Sequence, residues 1–461
     1  MITFEKCLAL VFSLMILGQA YLVRRYVGTW LFPACLFGLF WFGFTFFPLT
    51  ILFWIPVNWL SIGFILLCTT AFSSTALLFD WKTAMKRNLQ KPAPATYGSE
   101  FLWKVFLLCA SLAVFFLLVD WYNQGFSFAD LLLRLQDSAI AYASIIYSEN
   151  IVLPDFVQYG LVSCYLASAI GGILFEASEK KRRWKIVVLS FAPAFFVALA
   201  ETSKGLMFLS LAFFCAGHWV YRICSGRPIL LERQLLRRAI PILLVLCLIF
   251  AFAITMRSSQ SEDTKENAEL IASYAASYCC GHLYAYSDWF SSVTRSARSD
   301  TTYEPSHFPI GFYTFMAPYN IAGYHPKMPM GIFDDSYSNG PLISNVYTVF
   351  RELLMDFGFF GTLLFMFLSG LMLHYAFYQM LSKPFPAFTS TLYIFMIAAF
   401  YNSFLFSLLA SKRFYLAFVL LWLVMQVNKN RSSSPGGWAQ LRQAPNTDVR
   451  ISRSFSGERA V

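Results

Sequence analysis

Charged residues are scarce in this chain. Only 13% of its 461 residues are Asp, Glu, Lys or Arg, whereas 58% are hydrophobic. A soluble domain carries roughly 25% charged residues. The shortage excludes an ordinary soluble domain, and the apolar residues gather in long runs, which predicts a protein embedded in a membrane.

Signature motifs of nucleotide-driven and metal-dependent enzymes are also missing. The sequence has no Walker A motif, no paired DxD, no GxSxG and no HExxH. Residues 356–358 spell DFG, but no kinase catalytic loop precedes them. The ten cysteines form neither a CxxC motif nor a Cys/His metal spacing. Cys279 and Cys280 are adjacent, so a vicinal disulfide between them is one possibility. We therefore expect no metal and no cofactor, so the energy for a reaction must come with the substrate.

Eleven apolar runs could each cross a membrane. About 20 residues with a rise of about 1.5 Å each span about 30 Å of hydrocarbon. The first run could instead be a signal peptide cleaved near Ala20, but a retained span is favoured because cleavage would leave Arg24 and Arg25 at the new N-terminus. The runs predict an all-α polytopic membrane protein: 6–23, 29–47, 57–79, 102–120, 157–176, 185–201, 203–222, 239–256, 357–380, 387–409 and 412–428.

Basic residues give the chain a net charge of +10. They concentrate in the loops 82–91, 180–185 and 222–238 and in the C-terminal tail. Short basic loops mark the cytoplasmic side of a membrane protein. This pattern predicts a periplasmic N-terminus and a cytoplasmic C-terminus, and it explains the charge without a nucleic-acid partner.

The predicted membrane domain, 1–428, has two long periplasmic loops, 121–156 and 257–356, and the polar tail 429–461 is expected to be disordered. The first loop has the pattern of an amphipathic surface helix, formed by Phe128, Leu131, Leu132 and Leu135. The second loop, between spans eight and nine, is too apolar to be disordered. Its aromatic residues predict a helix or two resting on the spans: Tyr274, Tyr278, Tyr284, Tyr286, Trp289 and Phe290.

A polar stretch, SNVYTVFRELLMDFGFFG at 344–361, lies at the mouth of the ninth span. Read as a helix, it places Asn345, Thr348, Glu352 and Asp356 on one face, with Arg351 beside them. Ionisable groups near membrane depth are costly and are usually kept for function. The alternative is an Arg–carboxylate pair, such as one with Asp356, that only anchors the helix end. The glycines at 358 and 361 predict close helix packing.

Several cations depart from the positive-inside pattern, because they lie on the predicted outer side. Together they predict a site for a diphosphate at headgroup level, where charge-assisted hydrogen bonds are strong. The alternative is that each is a snorkelling anchor at a helix end. These cations are Lys204, Arg257, Arg351, Lys412 and Arg413.

Aromatic residues of the second loop predict sugar binding, because aromatic rings stack on sugar faces, although aromatics are also common at membrane interfaces. Three histidines of this loop, His282, His307 and His325, are further candidates for proton transfer.

At this point the sequence resembles a known family. NVYTVFRELLMDFGFFG at 345–361 resembles the bacterial oligosaccharide repeat-unit polymerases, the Wzy-type O-antigen polymerases, in which Asn-x-Tyr-Thr, a short helix and Asp-Phe-Gly-x-x-Gly lead into a span. FPIGFYTFMAPYNIAG at 308–323 is similar to their Gly-x-x-Thr-Phe element. The resemblance implies a GT-C-like inner-membrane enzyme without metal or nucleotide. Its donor and acceptor would be glycans linked to undecaprenyl diphosphate, and a chain-length regulator is a candidate partner. Many relatives carry arginine where this chain has Lys204.

The resulting hypothesis is a polymerase of surface polysaccharide. Arg257 and Arg351, with Lys204, would neutralise the departing diphosphate. Glu352 or Asp356 would accept the proton of the acceptor hydroxyl. The remaining expected substrate contacts are Glu201, Asn345, Tyr347, Thr348, Lys412, Arg413, Trp289 and Tyr313.

Two alternatives remain open at this point. A ligase could transfer finished glycan to a lipid A core, and a transporter could move polysaccharide or lipid-linked sugar. A transporter should show polar residues at mid-membrane and an internal repeat.

Overall fold

The computed structural model describes most of the membrane domain. It covers residues 2–91, 95–127, 129, 133–134, 137–138, 141, 155–200, 205–227, 264–295, 308–326, 332–333, 335–340 and 342–433. The predicted span 239–256 falls outside this set, and so do the four apolar residues of the predicted surface helix, Phe128, Leu131, Leu132 and Leu135.

The described chain is almost entirely helical. The first eight helices are α1 (Ile2–Val27), α2 (Pro33–Ile51), α3 (Trp59–Ser74), α4 (Trp81–Leu89), α5 (Glu100–Asn123), α6 (Asp155–Ala177), α7 (Lys180–Ala200) and α8 (Gly205–Cys224). The later elements are α9 (Thr264–Arg295), α10 (Met316–Ile321), a hairpin of β1 (Tyr337–Asn339) and β2 (Leu342–Ser344), α11 (Val349–Ser382), α12 (Ala387–Asn402) and α13 (Lys412–Ser433). Short 3₁₀ turns lie at Thr75–Leu78, Ala95–Gly98 and Leu408–Ala410.

Local sequence explains where several helices begin. The side chain of Asn58 accepts a hydrogen bond from the Leu60 N–H at the start of α3. Asp80 caps α4 through the Thr83 N–H, and Ser99 caps α5 through the Leu102 N–H. These short polar side chains satisfy N–H groups that have no partner within the first turn of a helix.

Seven helices of the described part are long and apolar enough to cross a membrane: Phe4–Val27, Pro33–Ile51, Trp59–Leu78, Glu100–Asn123, Phe156–Ala177, Gly205–Cys224 and Val349–Ser382. The all-α, membrane-embedded architecture is therefore confirmed. The run 412–428 lies within α13, and the described part of the run 185–201 lies within α7. The count of eleven spans and the GT-C likeness stay predictions.

The predicted span 387–409 is wrong as a single helix, because α12 ends at Asn402. The Asn402 side-chain amide donates to the Phe406 carbonyl at 2.8 Å, which closes a turn instead of another helical turn. In contrast, α13 continues to Ser433, so the first residues of the predicted disordered tail are helical.

Close backbone contact joins α6 to α8. A Cβ on Gly172 would overlap the carbonyl oxygen of Phe214, and a Cβ on Gly217 would overlap that of Ala169. Small residues permit this approach of two membrane helices. The same device brings α11 against α3, where a Cβ on Gly370 would overlap the Phe72 carbonyl.

Helix α9 confirms the predicted aromatic helix resting on the spans for its later part, whereas Tyr274 and Tyr278 are 40% and 42% exposed. Tyr284, Tyr286, Trp289 and Phe290 are all at most 5% exposed. The buried ammonium of Lys6 donates to the carbonyls of residues 52 and 55 at 3.0 and 2.7 Å and to the Tyr284 hydroxyl at 2.6 Å. Lysine thereby ties α1 and the end of α2 to α9.

The cysteine pair in α9 is reduced. Cys279 and Cys280 are both free thiols, so the vicinal disulfide that the sequence left open is not present. Burial raises the pKa of the Cys280 thiol to about 12.

Candidate site at the start of α11

The polar stretch lies where α11 meets α9, the 308–326 segment and the α12–α13 connection, and we call this part of the bundle its loop end. The predicted helix over the stretch is wrong for its first five residues, 344–348, because α11 begins at Val349. The Val349 N–H donates to the Ser403 carbonyl at 2.9 Å, which fixes the start of the helix. Asn345 is consequently exposed and non-helical, and Thr348 is the buried N-cap residue.

Gly358 interrupts α11 with φ 65° and ψ −174°. That region of backbone space is essentially restricted to glycine. No atom outside its neighbours lies within 4 Å of a Cβ built there, and a Cβ on Gly361 would meet only the Phe357 side chain, at 2.8 Å. The predicted role of these glycines in close helix packing is therefore wrong, and Gly358 serves to redirect the helix.

Glu352 is fully buried on the first turn of α11. Its two carboxylate oxygens accept the Ser407 N–H at 3.2 and 2.9 Å. The Glu352 carboxyl group therefore holds the turn after α12, and this hydrogen bond offsets part of the cost of burying it.

Asp356 lies one helical turn further along α11 and is 5% exposed. Its oxygens accept the Tyr313 N–H at 3.1 Å and the Thr314 N–H at 2.6 Å. The Ser407 hydroxyl donates to the Thr314 carbonyl at 3.3 Å and links the two carboxylate sites. The shared face of Glu352 and Asp356 was predicted correctly, and each carboxylate anchors a different connecting segment.

Arg351 forms an ion pair with Asp335, a residue that sequence reasoning missed. The anchoring pair with Asp356 that was considered as the alternative is thus not formed, because Asp356 binds backbone N–H groups. The Arg351 side chain is 1% exposed, and its guanidinium lies 3.9, 4.1 and 5.3 Å from the ring centres of Phe333, Tyr347 and Trp289. Cation–π contacts of this kind stabilise a desolvated guanidinium.

A cavity of about 550 Å³ adjoins this network. Apolar side chains of α11, α12 and α13 form most of its wall, and Thr314, Ser403 and Ser407 are its main polar lining at the loop end. Two wall residues in the middle of α11, Leu368 and Met372, are 53% and 45% exposed. The cavity therefore opens sideways on the apolar surface of the bundle, which is where hydrocarbon chains would lie.

The predicted cluster of five cations is described only in part. Lys204, Arg257 and the nearby Glu201 lie outside the described residues. Arg413 donates from Nε to the Gln158 side chain of α6, and Lys412 is exposed at the first turn of α13.

Lys412 lies close to the cavity through its helix. It is three residues before the wall residue Tyr415, and residues at this spacing share a face of a helix. Lys412 is also the first residue of α13, so it lies at the loop end of this helix.

The histidines of the second loop differ in their surroundings. His282 is 2% exposed, and its Nε2 lies 3.0 Å from the Phe44 carbonyl. Desolvation lowers the pKa of His282 to about 4. This imidazole packs α9 against α2 and is poorly placed for proton transfer. His325 is exposed, whereas His307 lies outside the described residues.

Thr314 belongs to the Gly-x-x-Thr-Phe element, but three residues at the site had no signal in the sequence: Phe333, Asp335 and Ser407. Their partners on α11 are 16 to 55 residues away along the chain, so helical periodicity could not connect them. Among the described residues, no three His, Cys, Asp or Glu side chains are grouped so that they could hold a metal ion.

Comparisons of the chain with protein-family models, with curated proteins and with solved structures give no match. The resemblance to repeat-unit polymerases therefore stays a prediction, and the residues of the loop end carry the functional argument.

Proposed function

We propose that the protein is a membrane glycosyltransferase that polymerises oligosaccharide repeat units linked to undecaprenyl diphosphate, at the periplasmic face of the bacterial inner membrane. The observation that carries this proposal is the apolar cavity whose polar end adjoins the Glu352–Asp356 network. An amphiphile with a long hydrocarbon chain and a polar head fits such a shape better than a soluble sugar does.

In this proposal each part of the substrate has its own region of the cavity. The hydrocarbon chain would enter between Leu368 and Met372, and the head would reach the loop end beside Thr314 and Ser407. The ammonium of Lys412 would face a phosphate at the membrane interface, where a charge-assisted hydrogen bond is strong. Lys412 is therefore the cation of α13 that we propose contacts the lipid-linked phosphate.

The transfer itself needs an acceptor for one proton. The hydroxyl oxygen of the acceptor unit bonds to the anomeric carbon of the donor, the bond from that carbon to the diphosphate breaks, and the hydroxyl proton leaves. Asp356 is 5% exposed, and it accepts the Tyr313 and Thr314 N–H groups, with further interactions from the Thr314 side chain and the Gly311 backbone. Glu352 is fully buried, so Asp356 is the better candidate base and Glu352 a positioning residue.

Deletion of the gene in the source organism tests this function against its alternatives. We expect surface glycan reduced to a single repeat unit on its core, and restoration of long chains by the wild-type gene. Free lipid-linked polymer in the deletion strain would indicate a ligase instead. Loss of all surface glycan, with lipid-linked units retained inside the cell, would indicate a transporter. Unchanged long chains would refute the proposal.

A further inference from the structure

The buried guanidinium of Arg351 is covered by one short segment of the 308–348 region. From this segment, Asp335 supplies the carboxylate of the ion pair and Phe333 supplies the nearest ring, at 3.9 Å. The rings of Tyr347 and Trp289 also lie against the guanidinium, with centres 4.1 and 5.3 Å away.

Phe333 occupies the space between aromatic residues expected to bind sugar. Its ring stacks on Tyr313 with centres 5.2 Å apart and an angle of 27°. It meets Tyr347 edge-on, with centres 5.6 Å apart. Displacement of Phe333 and Asp335 would expose the guanidinium between the rings of Tyr347 and Trp289 and uncover one face of Tyr313.

The backbone that positions Phe333 is strained. Ile332 has φ 71°, and it is the one non-glycine residue with positive φ in the described chain. A β-branched side chain is especially unfavourable in this conformation. Contacts with the Arg351 pocket must hold the segment in place, and a ligand that replaces these contacts would release the strain.

We propose that Ile332, Phe333 and Asp335 form a displaceable plug in a binding site for a diphosphate joined to a sugar. The carboxylate of Asp335 stands where a phosphate would pair with Arg351, and the ring of Phe333 stands where a sugar would stack on Tyr313. The ligand class rests on the proposed function. The plug keeps the site closed until a charged head group displaces Asp335.

Pyrophosphate binding to the full chain tests the plug, because this probe carries the charge without requiring a particular sugar. The protein is placed in phosphatidylcholine nanodiscs and titrated by calorimetry, with empty nanodiscs as the blank. We expect Asp335→Asn to bind pyrophosphate at least tenfold more tightly than the wild type, because the internal competitor loses its charge. Addition of Arg351→Ala to that variant should abolish the gain.

A second variant has the opposite expected effect. Ile332→Asn suits positive φ better, so it should favour the closed plug, raise Tm and weaken pyrophosphate binding severalfold. Ile343→Asn makes the same chemical change at an exposed position of β2 and should leave binding unchanged. If Asp335→Asn does not fold, pyrophosphate binding by Ile332→Asn alone tests the plug.

The plug is refuted if the folded Asp335→Asn and Ile332→Asn variants bind pyrophosphate as the wild type does, or if no variant binds it. Chain elongation is measured on the same preparations. If the protein elongates chains but its pyrophosphate binding is the same in both variants and the wild type, the plug is refuted and the polymerase proposal stands. If pyrophosphate affinity rises in Asp335→Asn and falls in Ile332→Asn but no preparation elongates chains, the plug stands and the polymerase proposal is refuted.

Discussion

Helices α6 and α8 and the first turns of α11 are held by different kinds of contact. Between α6 and α8, glycines let two backbones touch, and the surrounding side chains are mostly apolar. At the start of α11, three charged side chains are buried and bonded to other segments. Apolar packing alone suffices to join helices in a membrane. Burying ionisable side chains costs free energy, so their presence at the loop end indicates that this region positions chemical groups precisely.

The largest expected effect concerns the glycine contact. Gly172→Leu would force apart the backbones of α6 and α8, and we expect a loss of at least about 3 kcal/mol in unfolding free energy. Thermal unfolding of the purified protein measures this loss. Gly18→Ala is the matched control, because a Cβ there meets nothing within 4 Å. A Gly172→Leu protein as stable as the control would contradict the packing.

Stability should also fall in mild acid because of His282. Its pKa is about 4 in the folded protein, against about 6.5 when unfolded, so between these values the unfolded state binds more protons. Stability is therefore full above pH 6.5 and falls as pH drops towards 4, by up to about 3 kcal/mol. Unfolding measured across this range should show a shallower slope in His282→Gln. An identical slope in that variant would exclude His282 as the source.

A smaller effect is expected for the Glu352 bond to the α12–α13 connection. Glu352→Ala leaves the buried Ser407 N–H without this acceptor, at a cost of about 1–3 kcal/mol. Glu352→Gln retains one acceptor oxygen and should lose less. Denaturant unfolding compares the two variants. Equal losses would show that the hydrogen bond to Ser407 contributes little.

The smallest change in stability is expected at Lys412, which is exposed. Lys412→Gln should alter unfolding by no more than about 0.5 kcal/mol. Chain elongation should nevertheless slow about tenfold through a higher KM, because a charge-assisted bond to phosphate is lost. Lys104→Gln, an exposed lysine whose side chain is 72% accessible, is the matched control for elongation rates. Equal rates in the two variants would remove Lys412 from substrate binding.

The sequence predicts the two regions unequally well. Long apolar runs suffice to locate helices such as α6 and α8, because burial in lipid demands them. The ends of α11 and α12 depend instead on bonds between distant segments, such as Val349 to the Ser403 carbonyl. Arg351 was correctly singled out as unusual, but its partner Asp335 lies on a strained connection that has no periodic pattern.

Reconstitution of the purified protein with a lipid-linked repeat unit tests the central claim most directly. The products are resolved by size, for the wild type and for Ala399→Trp, in which a large side chain fills the cavity wall. We expect the wild type to form a ladder spaced by one repeat unit, with one lipid diphosphate released for each addition, and the folded Ala399→Trp protein to form none. Absence of a ladder in the wild type, or an equal ladder in both proteins, would contradict a lipid-linked polymerase that works through this cavity.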